Sequence, residues 1–193
     1  MTHDMVLAKN EADLRETLLS YLKTHSYKEG EFTLASERKS KFFIDCKKTL
    51  SLPYGLLTAT CLLSKEVMGM DIDAVAGEGV GGIILATATV SHLAMLGKYY
   101  PLVIVRKKTK GHGSKKCVER CEKVVPTGSR IVLIEDVLTT GGSVIRAANE
   151  LREVNLVPTN VIALVDRQEG AVSNLLKEDL LVTSLLSKED IVS

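Results

Sequence analysis

Residues 131–144, IVLIEDVLTTGGSV, place two acids, two threonines, two glycines and a serine at the end of a run of β-branched apolar residues. The run from Ile131 to Glu135 reads as a strand in a sheet covered on both faces, where short Ile/Val/Leu stretches bounded by polar residues belong. In an open α/β sheet the carboxyl end of such a strand faces the ligand crevice. The amides of Thr139, Thr140, Gly141, Gly142 and Ser143, at a glycine-relaxed turn opening a helix, can point together at an anion, with three hydroxyls adding donors. That is a phosphate cradle, although it is neither a Walker A loop nor a Gly-x-Gly-x-x-Gly fingerprint. Glu135 and Asp136 stand uncomfortably close to a phosphate unless they serve a neutral polyol or a cation. A ribose beside its own 5′-phosphate satisfies both halves. A capped helix after a strand explains the Thr-Gly pattern and leaves the acidic pair without a reason.

Two further groups could do chemistry. VRKKTKGHG, residues 105–113, follows the apolar run PLVIV and carries Arg106, Lys107, Lys110 and His112 on a glycine-containing loop. Cations on such a loop can close over a leaving anion, exclude water and neutralise developing charge; a solvated lysine loop is the plain alternative. Arg167 follows the strand-like VIALVD, so it belongs at a carboxyl edge of the sheet. There a guanidinium can hold a planar carboxylate through two parallel hydrogen bonds. A surface ion pair with Glu169 or Glu178 is the rival use. Cys117, Cys121 and His112 lack both a fourth ligand and the spacing of a zinc site. Asp71 and Asp73 are expected to bound a strand, and His92 to be a satisfied core or interface histidine. Phe42 and Phe43 read as strand core, or as rings one of which packs near a bound base.

These groups need a frame. From residue 71 onward strand-like and helix-like segments alternate: IDAVAG, GGIILATATVSHLAMLG, PLVIVRK, RIVLIED, GSVIRAANELREV and NVIALVD, with EDLLVTSLL as a further edge strand. Alternation of this kind means βα units and a mostly parallel sheet. Before it, Asn10 can cap a helix with Leu14, Leu18 and Leu22 on its apolar face, running to near His25. EFTLAS and KFFIDCK read as a hairpin or flap, and Pro53 suits the first turn of a helix that runs to Gly69. The expected fold class is therefore α/β, with helices flanking the sheet and a small N-terminal hood.

With 193 residues, 45% hydrophobic and 25% charged, the chain has the size and composition of one globular domain rather than of a disordered or fibrous protein. We expect a single domain over residues 1–193, with residues 1–52 supplying the first helix and the hood. The net charge of +1 argues against a nucleic-acid partner held by bulk electrostatics. The N-terminus lacks the basic start and apolar core of a secretory signal. The stretch from Gly81 to Leu96 is interrupted by polar residues and falls short of the roughly 20 apolar residues that span a bilayer. No membrane association is expected, the location is expected to be cytoplasmic, and the four cysteines are expected to be reduced thiols.

Glu135 to Ser143 resembles the motif for 5-phosphoribosyl 1-pyrophosphate (PRPP) in type I phosphoribosyltransferases. The order Arg106-Lys107-x-x-Lys110-x-His112-Gly113 resembles the mobile catalytic loop of the orotate branch. FTLASERKSKFFID is similar to that branch's orotate-contacting segment, AGEGVGGIILATA to its pyrophosphate-binding turn, and VDRQEG places Arg167 at an orotate-contacting arginine. The likeness runs from about residue 14 to the C-terminus. It departs at Ala35, where some members carry a substrate-contacting lysine, at Glu37 for a usual glycine, and at Lys41 for a frequent proline. The resemblance implies the type I phosphoribosyltransferase fold and synthesis of orotidine 5′-monophosphate and pyrophosphate from orotate and PRPP, in pyrimidine biosynthesis. It implies Mg²⁺ bound mainly through PRPP rather than by a dedicated set of side chains, and a homodimer with shared sites. PRPP would be held by Glu135, Asp136, Thr139, Thr140, Gly141, Gly142, Ser143, Arg106, Lys107, Lys110 and His112. Catalysis would fall to Lys110, Lys107, His112, Arg106 and Asp136, and orotate to Arg167, Thr139, Phe42 and Phe43. A transferase for another base, such as a purine, and a non-catalytic PRPP-binding regulator remain as alternatives.

Overall fold

A computed structural model describes residues 10–33, 39–107 and 117–192. Asn10 caps helix α1 (Glu11–Tyr21), its side-chain oxygen accepting the Asp13 N–H at 2.9 Å, and Leu14 and Leu18 are buried. The helix ends four residues before His25. It loosens into a single π turn (Leu22–Ser26), whose last residue is held by Thr49 through a 2.7 Å hydroxyl contact. Strands β1 (Tyr27–Thr33) and β2 (Lys39–Ile44) then pair antiparallel as a two-stranded sheet of their own, the expected hood. The departures at Ala35 and Glu37 lie outside the described residues.

A short helix α2 (Cys46–Leu50) leads to α3 (Pro53–Met68), with proline in the first turn as anticipated. The alternating part follows: β3 (Ala74–Glu78), α4 (Gly79–Met95), β4 (Leu102–Val105), β5 (Val118–Glu119), β6 (Arg130–Leu138), α5 (Gly142–Glu153), β7 (Val157–Asp166), α6 (Ala171–Leu176), β8 (Leu181–Ser187) and α7 (Lys188–Val192). The six-stranded sheet has the order β5-β4-β3-β6-β7-β8, parallel except where β5 joins β4, with β8 at an edge. Val132 and Ile134 of β6 bury into a core shared with α1, α3 and α4. Ile131 and Leu133 face the opposite core, shared with Val144, Ala147 and Leu151 of α5. A strand buried on both faces must be apolar at successive residues, which is why this one shows no alternation.

Strand β6 is longer than its apolar run suggested. It continues past Glu135 to Leu138, because β7 keeps pairing with it, Val137 opposite Val165 and Leu138 opposite Asp166. The two acids therefore lie within the strand rather than in a loop after it. At the other end, Asp71 and Asp73 both pair with Arg130, and the Arg130 N–H donates to Asp73 at 2.7 Å. They bound strands, as expected. His92 is held by Ser64 at 2.9 Å between α4 and α3.

Candidate active site

The chain leaves β3 toward β4 on one side of the sheet, and leaves β6 toward β7 and β8 on the other. The carboxyl ends of β3 and β6 thus flank the point where strand order reverses, the place at which open α/β sheets leave a crevice. Glu78 ends β3, and Glu135 and Asp136 lie near the end of β6.

Successive residues of a strand point to opposite faces, and the two acids accordingly meet different surroundings. Glu135 turns toward α5. Its Oε2 accepts the Ser143 hydroxyl at 3.2 Å, and the residue is only 7% exposed. Burial first, then the adjacent Asp136 and more weakly Glu78, push its carboxyl up to about 9, so it is protonated at neutral pH. Asp136 turns toward α4 and is half-buried, with Gly81 packed so close that a Cβ there would overlap its carboxylate. Glycine at 81 is what lets the first turn of α4 approach the acid. Cys46 donates to the Asp136 carbonyl at 3.8 Å, and burial raises its thiol well above the usual range, which leaves it an uncharged packing group.

After Leu138 the chain turns through Thr139 and Thr140 to Gly141, whose φ of 81° caps α5 in the left-handed region. Leu175 closes the space beside Gly141, and Asn174 Nδ2 donates to the Thr140 carbonyl at 3.0 Å, so α6 braces the turn from behind. The first amides of the 12-residue α5 have no partner within the helix and lie at its positive end, at the turn where the motif led us to expect an anion cradle. Glu78, buried at the end of β3, pairs with Arg146 of α5 at 2.8 Å and ties the two sides of the crevice together.

Arg167 lies beside the cradle: its backbone N–H donates to the Leu138 carbonyl at 2.9 Å, one residue before Thr139. Its side chain is 3% exposed, with the guanidinium 4.4 Å over the Phe42 ring and 2.8 Å from Glu169. The Glu169 ion pair foreseen as a rival use is present, although at a buried arginine rather than on the surface. Phe42 and Phe43 diverge. Phe42 lines a cleft of about 910 Å³ with Tyr27, Lys41, Glu169 and Lys188, whereas Phe43 lines a smaller pocket of about 240 Å³ with Ser26, Lys28 and Phe32. Only Phe42 is brought to Arg167.

A sequence model of the phosphoribosyl transferase domain matches residues 59–178, which include both strand ends, the cradle and Arg167. An orotate phosphoribosyltransferase of Sorangium cellulosum is 36% identical over 182 residues, covering 94% of each chain. One of Methanospirillum hungatei is 39% identical over 184 residues, covering 94% of this chain and 98% of its own. The chain belongs to the orotate phosphoribosyltransferase family. The crystal structure of an orotate phosphoribosyltransferase from Aeropyrum pernix superposes with a TM-score of 0.75 at 29% identity, over 93% of this chain and 96% of its own. The mostly parallel α/β sheet of the type I phosphoribosyltransferase fold is thus what this member of the family has.

Within the family's motifs, the structure brings Glu135, Asp136, the turn 139–143 and Arg167 to one end of the sheet. Lys110 and His112 lie outside the described residues. Arg106 and Lys107 follow β4; the Arg106 N–H donates to the Cys117 carbonyl at 2.7 Å and its side chain pairs with Glu119 at 2.8 Å, while Lys107 is exposed. Three contributors had not been singled out. Glu78 lay inside the quoted pyrophosphate-binding turn, and its acidity after an apolar strand was the available signal. Asn174 carried none, because an Asn in a helical stretch is ordinary. Arg146, three residues after Ser143, shares its helix face, a spacing that could have marked it.

Proposed function

We infer that the crevice transfers the phosphoribosyl group of PRPP to orotate, making orotidine 5′-monophosphate and pyrophosphate. The observation that carries this reading is the backbone bond from Arg167 to Leu138. It anchors Arg167, whose guanidinium is suited to a carboxylated base, to the strand end from which the turn suited to the 5′-phosphate begins. In this reading the turn 139–143 holds the phosphate and Asp136, half-buried beside Gly81, orders a ribose hydroxyl. Glu135, neutral and tied to Ser143, can donate or accept at the other hydroxyl. Arg167 and Thr139 hold orotate, with Phe42 packed on the arginine. The bond from C1′ to the pyrophosphate oxygen loosens toward an oxocarbenium-like state as N1 of orotate approaches the opposite face, and no protein nucleophile is used. Arg106, Lys107, Lys110 and His112 take the role of neutralising the departing pyrophosphate and excluding water.

Mg²⁺ belongs to this reading through the substrate. Among the described residues no group of three His, Cys, Asp or Glu side chains could hold a metal ion. A hard cation that keeps its waters and takes phosphate oxygens fits beside the half-buried Asp136. It would supply charge neutralisation on the pyrophosphate. A homodimer in the cytoplasm, with each loop completing the neighbour's site, completes the proposal. No helix among the described residues is long and apolar enough to cross a membrane.

The test is a steady-state assay with PRPP and Mg²⁺ against orotate, uracil, adenine, hypoxanthine and guanine. Turnover of orotate alone is expected. Turnover of a purine without orotate would move the chain to another branch, and PRPP binding without turnover of any base would make it a regulator.

A further inference from the structure

Arg167 is shut off from the cleft it would read. Its side chain is 3% exposed, Phe42 covers its face at 4.4 Å, and Glu169 holds its Nη2 at 2.8 Å. The turn that carries Glu169 is built to aim it. The Gln168 N–H donates to the Asp166 side chain at 2.8 Å, and Gln168 and Gly170 on either side both have positive φ, 56° and 97°. A fold that reverses the chain twice in three residues brings the glutamate back over the arginine two positions before it. Glu169 also lines the open cleft of about 910 Å³ with Phe42, and its walls carry Lys39, Lys41 and Lys188 as well as Glu29 and Glu31. A carboxylate displaced from Arg167 therefore has water and other cations within the same cleft.

We propose that Glu169 is a stand-in for the substrate's carboxylate, pairing with the Arg167 guanidinium and giving it up when a carboxylated base arrives. The proposal rests on the assignment of Arg167 to orotate. While the pair is closed the glutamate keeps a buried guanidinium paired, which an isolated buried charge requires. For the incoming base it is a competitor, because only the fraction of molecules with the pair open can bind, and the apparent affinity falls by that fraction. A neutral base does not displace Glu169 and is indifferent to the exchange. Glu169 thus positions Arg167 and lowers the affinity for orotate without touching the reacting atoms.

The test is Glu169→Gln, which keeps the shape and removes the charge, with Glu169→Asp as a second variant that retracts the carboxylate. At saturating PRPP and Mg²⁺, Glu169→Gln should lower the KM for orotate on the order of fivefold, enlarge the orotate-induced rise in Tm, and leave the KM for uracil unchanged. Glu169→Asp should fall between the variant and wild type. An orotate KM that is unchanged or raised in both variants overturns the proposal, even if both melt at lower temperature. Arg167→Lys, measured alongside, separates the two levels. If it raises the orotate KM while Glu169→Gln does not lower it, the stand-in role alone fails; if it leaves the orotate KM unmoved, the assignment of Arg167 fails and takes the proposal with it.

Discussion

The two halves of the crevice are built in opposite ways. In the function proposed, the ribose and 5′-phosphate side comes from nine contiguous residues, Glu135 to Ser143, on one strand, one turn and one helix start. The side proposed for the base is assembled from the hood strand β2, the end of β7 and the turn after it, where Phe42, Arg167 and Glu169 meet. A contiguous site inherits its geometry from one βα unit, so its parts stay in register whenever that unit forms. An assembled site depends on the hood docking on the sheet, and it can be closed or filled by neighbours, as Arg167 is here. The difference teaches that the PRPP side should respond to substitutions mainly through local charge, whereas the base side should respond through what covers and pairs its arginine.

The largest expected effect belongs to the loop proposed to meet the departing pyrophosphate, and it serves as a common reference for both halves. Lys110→Ala should lower kcat by ~10²-fold or more, the scale seen when one preorganised electrostatic donor is lost. Because the leaving group is the same for every base, the loss should be equal for orotate and uracil. A base-dependent loss, read from kcat with each base, would place Lys110 on the base side instead.

Arg167→Ala should lower kcat/KM for orotate by roughly 10- to 100-fold, the range for a charge-assisted hydrogen-bonded pair, and hardly change it for uracil, which lacks the carboxylate. PRPP affinity by calorimetry should stay within about twofold, as fits halves that act independently. Equal losses for both bases would show that the arginine does not read the carboxylate. Arg167→Lys should recover only part of the activity, since an ammonium cannot reproduce the planar fork.

Asp136→Asn should weaken PRPP by about tenfold, the worth of one hydrogen bond to a charged group, while leaving the Tm near wild type because the lost charge faces the crevice. Unchanged PRPP affinity by calorimetry would remove Asp136 from the ribose.

The smallest effect on binding is expected at its neighbour. Glu135 is already neutral at pH 7, so Glu135→Gln should leave PRPP affinity within about threefold of wild type, in contrast to Asp136→Asn. Its signature is in stability. The carboxyl titrates near 4.5 when unfolded and near 9 when folded, so between those pH values the folded protein holds the extra proton. Stability from this group is therefore full below about pH 4.5 and is lost as pH rises toward 9, at up to about 1.4 kcal/mol per pH unit. Denaturant titrations across that window should show a shallower decline for Glu135→Gln than for wild type; parallel curves would mean that Glu135 is ionised in the folded protein.

Much of this was legible in residue order. The parallel α/β class followed from the alternation after residue 71, the proline start of α3 from its fixed φ, and the glycine-capped start of α5 from Thr-Gly-Gly after a strand, because each depends on interactions within a few residues. Legibility ended where partners are distant. The apolar run ends at Glu135, yet β6 runs on to Leu138, since strand length is set by pairing with β7 and not by the strand's own residues. Phe42 and Phe43 look equivalent in sequence, and the hood sends only one of them to Arg167.

The acidic pair marks the boundary most clearly. Sequence alone determined that two carboxyls stand three residues before a Thr-Thr-Gly-Gly turn, because chain connectivity holds them there in any fold. That the Glu135 carboxyl is pushed upward was decided by the tertiary structure. The pleat turns Glu135 into a dry space against Ser143 and leaves Asp136 half in the crevice, and ionisation follows burial and neighbouring charge, which no local pattern encodes. Arg167 obeys the same rule. Its position after β7 was fixed by local order, but its cover of Phe42 and its pairing with Glu169 exist only because the hood and a left-handed turn are packed against it.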